Sequence, residues 1–275
     1  MQFHSLHIGG NLKLWNRCCL QSFADFGHEI VVFGYERFDV PPGVQWAPAQ
    51  DILSEKARDS YFAERPVLLQ RFSNYFRYVL LHKQPAFWVD TDVLCLSGSV
   101  PDDDIVLGWE DSNWVCGAIM RLPPGHGLLA DAIEIARAKP DVGDWGDIGR
   151  KLLTPLAADH GLTGQLFEPA ALYPVHWSAA YDLVDPESCT TVENLAANRA
   201  FLHLWQTIFR RGGFQTDFMP PAGSFLAKAF SRHGGDGIAM LDAEAVARQL
   251  RIVRERNAWM QEANRLKAEL DSLRG

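Results

Sequence analysis

Apolar positions along the chain change period several times, and each change marks an element. Residues 3–8 alternate crudely between apolar and polar and stop at Gly9-Gly10, as a strand running into a tight turn would. Leu12, Trp15, Cys19, Phe23 and Phe26 then recur at helical spacing, with Gly27 where a C-terminal glycine cap belongs. Residues 30–33 read as a short buried strand. Strand, helix, strand is a βαβ unit, whose parallel pairing puts functional loops at the carboxyl ends of the strands, where Gly9-Gly10 falls.

Residues 39–66 carry scattered proline and charge and read as a connection with a short helix around 51–57. From 68 to 83 the pattern predicts a helix, with Leu68, Leu69, Phe72, Tyr75, Phe76, Val79 and Leu80 in one wide stripe. Asn74 and Arg77, one helical turn apart, share a different face and can point together at something other than the core. Gln84-Pro85 ends this helix, and Phe87-Trp88-Val89 makes a buried strand that delivers Asp90 and Asp92 at its carboxyl end. Two strands (105–109 and 115–120), a helix (128–138, closed by Pro140), a helix interrupted near Pro155 (147–160) and a strand (165–167) continue the alternation. Beyond Asp182 the pattern blurs into loops and short helices through Trp205, then a Pro/Gly-containing segment, 211–223.

Residues 241–274 contain no Pro or Gly and predict one long helix with Asp242 as its N-cap. Its stripe changes phase: Val246, Leu250 and Val253 follow one seam, whereas Trp259, Ala263, Leu266, Leu270 and Leu273 follow another at coiled-coil spacing. Packing back on the body and homodimerisation through this helix both satisfy that second seam. The pattern therefore predicts an α/β fold with a mainly parallel central sheet over 1–235 and a C-terminal helical extension over 236–275.

Composition removes several classes of function. With 275 residues the chain can bury a sizeable core, and a formal charge of −8, from 26 Lys+Arg against 34 Asp+Glu, argues against nucleic acid or an anionic membrane as a broad partner. The five cysteines lack CxxC spacing, so neither a disulfide framework nor a zinc site is indicated. The start shows no basic segment leading into an apolar run, and no apolar stretch approaches the roughly 18 residues of a membrane span. No transmembrane segment and a cytoplasmic location are the expectation.

Asp90 and Asp92 are separated by one residue, so a locally continuing strand would put both carboxylates on one face, where they suit one hard cation. Alone, Asp-x-Asp is more often a solvated turn. Here the pair ends an apolar strand, precedes the apolar Val93-Leu94-Cys95-Leu96, and follows the helix carrying Asn74 and Arg77, which tips the reading towards function.

The run Ser73-Asn74-Tyr75-Phe76-Arg77-Tyr78-Val79-Leu80-Leu81, then Phe87-Trp88-Val89-Asp90-Thr91-Asp92-Val93, resembles the DXD sugar-binding region of retaining glycosyltransferases. That family includes capsular-polysaccharide sugar transferases, initiating fungal mannosyltransferases and large glucosylating toxins. Ile8-Gly9-Gly10, Cys19-Leu20-Gln21-Ser22-Phe23 with Gly27-His28-Glu29, and the region from Tyr173-Pro174 to Trp205 extend the likeness over roughly three-quarters of the chain. The resemblance implies a GT-A type, Rossmann-like nucleotide-sugar-binding domain. It implies transfer of a sugar from a nucleoside diphosphate donor, UDP before GDP, to a hydroxyl acceptor in glycan or polysaccharide synthesis.

By the same resemblance Asp90 contacts the donor and helps bind Mn²⁺ or Mg²⁺, Asp92 is the principal metal ligand, and Arg77 contacts donor sugar and phosphate. Leu202-His203-Leu204-Trp205-Gln206 resembles the family's late His-Leu-Trp element, which makes His203 a third metal ligand and places Trp205 over the diphosphate. A His and a Trp packing in an ordinary helix is the plain alternative. Gly9 and Gly10 would let the backbone approach the nucleotide, although a GG pair is also a plain turn. The family commonly has Asp where this chain has Asn74, which can exchange hydrogen bonds with sugar hydroxyls but supplies no charge. A core position is expected for His176-Trp177, a pocket position being the alternative. Gly149-Arg150 stands where the family often has Gly-Pro, in a loop near the acceptor, with Asp144 and Asp147 as nearby acids. These departures leave a catalytically weak, nucleotide-binding scaffold as the alternative function.

Overall fold

The computed structural model describes residues 1–63, 69–138 and 147–274. In chain order the first half contains β1 (Gln2–Leu6), α1 (Leu14–Asp25), β2 (Glu29–Gly34), β3 (Val44–Pro48), α2 (Glu55–Ala63), α3 (Leu69–Lys83), β4 (Phe87–Val89), β5 (Val93–Cys95), β6 (Val106–Trp109) and β7 (Val115–Arg121). The second half contains α4 (Gly127–Ala138), α5 (Arg150–Asp159), α6 (Pro169–Leu172), α7 (Cys189–Ala196), β8 (Phe201–His203), α8 (Gln206–Arg211), α9 (Phe225–Arg232) and α10 (Ala243–Arg274).

Six strands form one sheet in the order β3-β2-β1-β4-β7-β6. β3, β2, β1 and β4 pair in parallel, and only β7 runs against its neighbours, so the sheet is mainly parallel as the pattern predicts. Alternation along each strand feeds two cores. Ile30, Val32, Phe87 and Val89 face the layer holding α1 and the later helices, while Val31, Phe33 and Trp88 face the layer holding α3, α4 and α5. This three-layer α/β arrangement sends the loops after β1 and β4 out on one edge, the usual place for a ligand crevice.

β5 and β8 form a separate two-stranded antiparallel ribbon, with Val93 opposite His203 and Cys95 opposite Phe201. Ser22 of α1 fastens it, taking the Cys95 N–H on its Oγ at 2.8 Å while donating to the Cys19 carbonyl. Phe201, fully buried against Phe3, Phe23 and Phe87, ties the ribbon to the sheet.

Several expectations need correction. Residues 39–66 hold the edge strand β3 and a helix that begins at Glu55, later than the pattern suggests. The helix expected over 147–160 is α5, which continues through Pro155: the ring costs one backbone bond, and Thr154 Oγ1 returns to the Arg150 carbonyl beside it. Residues 165–167 form no strand; Phe167 makes one isolated bridge with Gly108. His203 lies on β8, not in a helix. Leu68, Pro140 and Asp144 lie outside the described residues.

At the C-terminus Asp242 caps α10 by accepting from Ala245 N–H at 2.6 Å, as expected. Val246, Leu250 and Val253 join the core shared by α1 and the ribbon. On the second seam Trp259 is 76% and Leu266 51% exposed, so in the single chain neither packs back on the body. The side chains of Leu270 and Leu273 lie outside the described set. No helix among the described residues is long and apolar enough to cross a membrane.

Phe201→Ala removes the aromatic wedge between ribbon and sheet. It is expected to destabilise the protein by about 3–5 kcal/mol, read as a fall in the urea midpoint at unchanged m-value.

Candidate functional site

The floor of the site is the turn that follows β4. Asp90 N–H still bonds the Ala118 carbonyl of β7 at 2.8 Å, but Val93 N–H closes back on the Asp90 carbonyl at 3.0 Å, so the chain turns at Thr91-Asp92. The two carboxylates therefore converge through a tight turn, not by alternation along a continuing strand. Asn16, a polar residue on the buried face of α1, holds this turn by donating to the Thr91 carbonyl at 3.2 Å and to Thr91 Oγ1 at 3.1 Å, and it is bonded to Gln206.

The ribbon brings a third ligand. β8 pairs with β5, Leu204 N–H bonds the Asp92 carbonyl at 2.9 Å, and Gln206 N–H donates to Asp92 Oδ2 at 2.8 Å. His203 Nε2 then lies 3.4 Å from Asp92 Oδ1. One ligand atom each of Asp90, Asp92 and His203 fall within 4.8 Å of one another, and among the described residues they form the only group of three or more such side chains arranged to hold a metal ion. Two carboxylates and an imidazole suit Mn²⁺, and Mg²⁺ if water completes the shell.

Asp90 is clamped from one side. Its Oδ1 accepts from Arg77 Nη2 at 2.5 Å and from Trp88 Nε1 at 2.7 Å, while Oδ2 has no hydrogen-bond partner among the described residues. Arg77 is buried, stacks over the Trp88 ring at 4.9 Å, and donates its other terminal nitrogen to the Gly117 carbonyl. A Cβ on Gly117 would stand 2.5 Å from that nitrogen, so glycine makes room for the guanidinium.

Burial raises the Asp90 pKa, with Arg77 opposing and Asp92 adding to the rise. Burial would raise Asp92 too, but the charge and hydrogen bond of His203 and the Gln206 N–H outweigh it and hold Asp92 below the usual carboxylate range. Burial alone would depress His203; the Asp92 carboxylate overcomes that and lifts it to about 10. In the metal-free protein the imidazole therefore carries a proton at neutral pH.

Above this floor opens a cleft of about 1360 Å³, lined by Gly9, Asn74, Arg77, Asp90, Asp92, His203 and Trp205 among others. Asn74 and Arg77 do share the face of α3 that meets the cleft. Gly9, at φ 89°, reaches it; Gly10, at φ 37°, belongs to the same turn but does not line it. Trp205 is largely buried, and its indole N–H donates to the Val175 carbonyl at 2.8 Å, so that atom is not presented to a phosphate. Its backbone is left-handed at φ 56°, a conformation costing a non-glycine residue about 1–3 kcal/mol and held here by Val175 and by the His203 ring 4.0 Å away. Trp177 is no core residue: it is 40% exposed and lines the cleft. Gly149 and Arg150 also reach it, Arg150 paired with the buried Glu110 at 2.6 Å, whereas Asp147 instead binds Arg71 at 2.9 Å. Asn16 and Gln206 escaped the sequence reading. Asn16 left one trace, an amide on an otherwise apolar helix face; Gln206 entered only as the last residue of the His-Leu-Trp element, with no role read for it.

The class of protein that fold and site define is an α/β domain with a carboxylate–carboxylate–histidine cluster at the carboxyl edge of its sheet. Among solved structures the chain is similar to the PaToxG glycosyltransferase, at 13% identity over 60% of this chain and 71% of that one, with a TM-score of 0.47. It is also similar to a structure described as a transferase, at 14% identity over 59% and 84%, with a TM-score of 0.35. A third is the apo form of glycosyltransferase GlyE from Streptococcus pneumoniae TIGR4, at 9% identity over 96% of this chain and 64% of that one, with a TM-score of 0.41. No protein-family model matches the chain, and no curated protein matches it. Likenesses this distant assign no residue its role.

Two outcomes follow from the geometry. Gly117→Ala is expected to push Arg77 off Asp90 and to cost about 1–3 kcal/mol of stability, with Arg77→Lys adding little more in the same background, read by urea denaturation of the single and double variants. Because a ligating imidazole must be neutral, Mn²⁺ binding at pH 7.5 is expected to release about one proton and to tighten as pH rises towards 10. Calorimetry in buffers of different ionisation enthalpy measures that release, which His203→Gln should abolish.

Proposed function

We propose that the chain is a metal-dependent glycosyltransferase that moves a sugar, with retention, from a nucleoside diphosphate sugar to a hydroxyl acceptor. A UDP-sugar is the favoured donor and glycan or polysaccharide synthesis the setting. The observation that carries this reading is the convergence of Asp90, Asp92 and His203 on the floor of a cleft large enough for a donor and an acceptor together. A divalent cation there, Mn²⁺ or Mg²⁺, supplies Lewis-acid neutralisation of the charge developing on the diphosphate leaving group.

The protein's own groups do the rest. Asp92, fixed by Gln206 N–H, presents a second oxygen towards His203, and Asp90 keeps Oδ2 for cation or sugar because Arg77 and Trp88 occupy Oδ1. The Arg77 guanidinium, buried beside the reacting region, opposes the negative charge of the departing group, the kind of fixed electrostatic contribution that dominates many enzymes. Asn74 offers hydrogen bonds to sugar hydroxyls, and Gly9 offers close backbone approach to the nucleotide. Trp205 packs against His203 and holds the ligand in place. The bond from the anomeric carbon to the diphosphate oxygen breaks with its electron pair going to that oxygen. The acceptor hydroxyl attacks the same face and passes its proton to the departing diphosphate.

Asn74 in place of a carboxylate supports a second reading, a catalytically weak domain that binds nucleotide and scaffolds an assembly. Hydrolysis of a panel of UDP- and GDP-sugars with and without Mn²⁺ separates the two. Metal-dependent turnover that falls at least ~100-fold in Asp92→Ala is the expected result. Metal-dependent nucleotide binding without turnover would favour the scaffold, and loss of both in the native protein would overturn the transferase.

A further inference from the structure

Three of the four most exposed large apolar side chains among the described residues stand on α10: Ile252 at 65%, Trp259 at 76% and Leu266 at 51%. They follow one another at intervals of seven residues, and Leu273 continues the series in sequence. On a helix of 3.6 residues per turn this spacing keeps them in one slowly winding line, the d line of a heptad repeat. Ala263 and Leu270 then fall at a positions. The face is distinct from the one that meets the body, because Val246, Leu250 and Val253, which enter the core, fall at b and e.

The body limits this seam on its N-terminal side. The preceding a positions are polar and already engaged: Gln249 donates to the Gly212 carbonyl, and Arg256 hydrogen-bonds the Tyr181 hydroxyl. Arg256 and Ala258 also line the cleft. A seam open to a partner therefore begins at Trp259, next in sequence to the cleft lining, and runs about 20 Å to Leu273 at ~1.5 Å per residue. The anchored turns before it nucleate the helix, so a partner need not supply that cost.

The charges beside the seam select what covers it. Glu262 and Glu269 occupy the g line, and Lys267 and Arg274 the e line. In a parallel, in-register pair each g residue meets the e residue five positions further along the second copy, so Glu262 meets Lys267 and Glu269 meets Arg274, each twice by symmetry. An antiparallel pair would set glutamates against glutamates and bases against bases. A lipid surface would bring the same glutamates to the edge of the buried face, where a basic residue is favoured. Within one chain Arg265 spans Glu262 and Glu269, and because all three side chains are about half exposed, these solvated pairs hold neither glutamate back. Ala263, small beside the Trp259 layer, leaves room for two indoles to pack.

We propose that α10 pairs with α10 of a second copy of the chain in a parallel, in-register, two-stranded coiled coil from Trp259 onward. The two-fold axis runs along the seam, and both bodies lie at the same end of the coil. This inference is independent of the transferase reading.

Sedimentation equilibrium of the full chain at about 1 to 100 µM tests it. The expected result is a reversible dimer, weakened at least about tenfold by Trp259→Gln/Leu266→Gln, in which glutamine preserves helix propensity. Glu262→Lys/Glu269→Lys and Lys267→Glu/Arg274→Glu should each self-associate at least about tenfold more weakly than the native chain. An equimolar mixture of these two should recover the native affinity, which misfolded variants could not do. A native chain that stays monomeric, an oligomer higher than a dimer, undiminished association of the glutamine variant, or charge variants that self-associate like the native chain would overturn the proposal. So would binding of a monomeric native chain to vesicles of phosphatidylglycerol and phosphatidylcholine that is lost in the glutamine variant, which would assign the seam to a lipid surface.

Discussion

The site depends on the pairing of β5 with β8, a ribbon of three residues on each side that joins segments more than a hundred residues apart in sequence. Val93 sits opposite His203, so register alone decides that an imidazole meets Asp92. A slip of one residue would turn the histidine to the other face of the ribbon. Two bonds to the same aspartate secure the register, the carbonyl taking Leu204 N–H and the side chain taking Gln206 N–H. The left-handed turn at Trp205 follows from this: the chain must reverse within two residues of His203 to present both N–H groups, and the packing of the indole holds a conformation the backbone would otherwise leave.

Electrostatics adds a second constraint. The site gathers two carboxylates, an imidazole and a guanidinium where water is scarce, and like charges so placed are tolerated only because each has a defined partner. Arg77 and Trp88 stabilise Asp90, while His203 and Gln206 stabilise Asp92, so the carboxylates are held apart by separate networks. With its pKa depressed, Asp92 contributes stability above its unfolded value and loses it as pH falls through the folded one. His203, raised to about 10, contributes fully below its ordinary value near 6.5 and loses the contribution as pH climbs towards 10. The metal-free site is therefore most cohesive in the middle of the pH range, where a cation must displace a proton to enter.

How much of this was legible in the sequence follows from how local each feature is. The stripe of α3 and the apolar Phe87-Trp88-Val89 are set by neighbours in the chain, and both elements stand where periodicity puts them. β3 was missed because, as an edge strand, it buries Val44 while Gln45 is exposed and Trp46 and Ala47 are only half-buried, leaving no clean alternation. β8 was missed because three residues in an apolar run have no period; only its pairing with β5 makes it a strand. Asp90 and Asp92 could be read from position after a buried strand, though the turn that joins them could not. His203 came into view through the resemblance alone, and Asn16 not at all, since an amide on α1 acquires meaning only when the turn after β4 is packed against it.

The same distinction applies to the C-terminal helix. In sequence it looks like an appendage, with a Pro- and Gly-free run and a change of seam. In three dimensions its first three turns belong to the body: Val246, Leu250 and Val253 share a core with α1 and the ribbon, and Arg254, next in sequence, pairs with Asp185 and Asp182 at the edge of the cleft. Only beyond them does the helix leave the body, with Trp259 and Leu266 exposed. A change of hydrophobic seam marks that division, because a helix that has left the core no longer needs its apolar residues on the core-facing stripe. The phase break therefore coincides with the point where α10 leaves the core: among the described residues Val253 is the last of the helix to be buried, and Trp259, the first residue of the second seam, stands exposed.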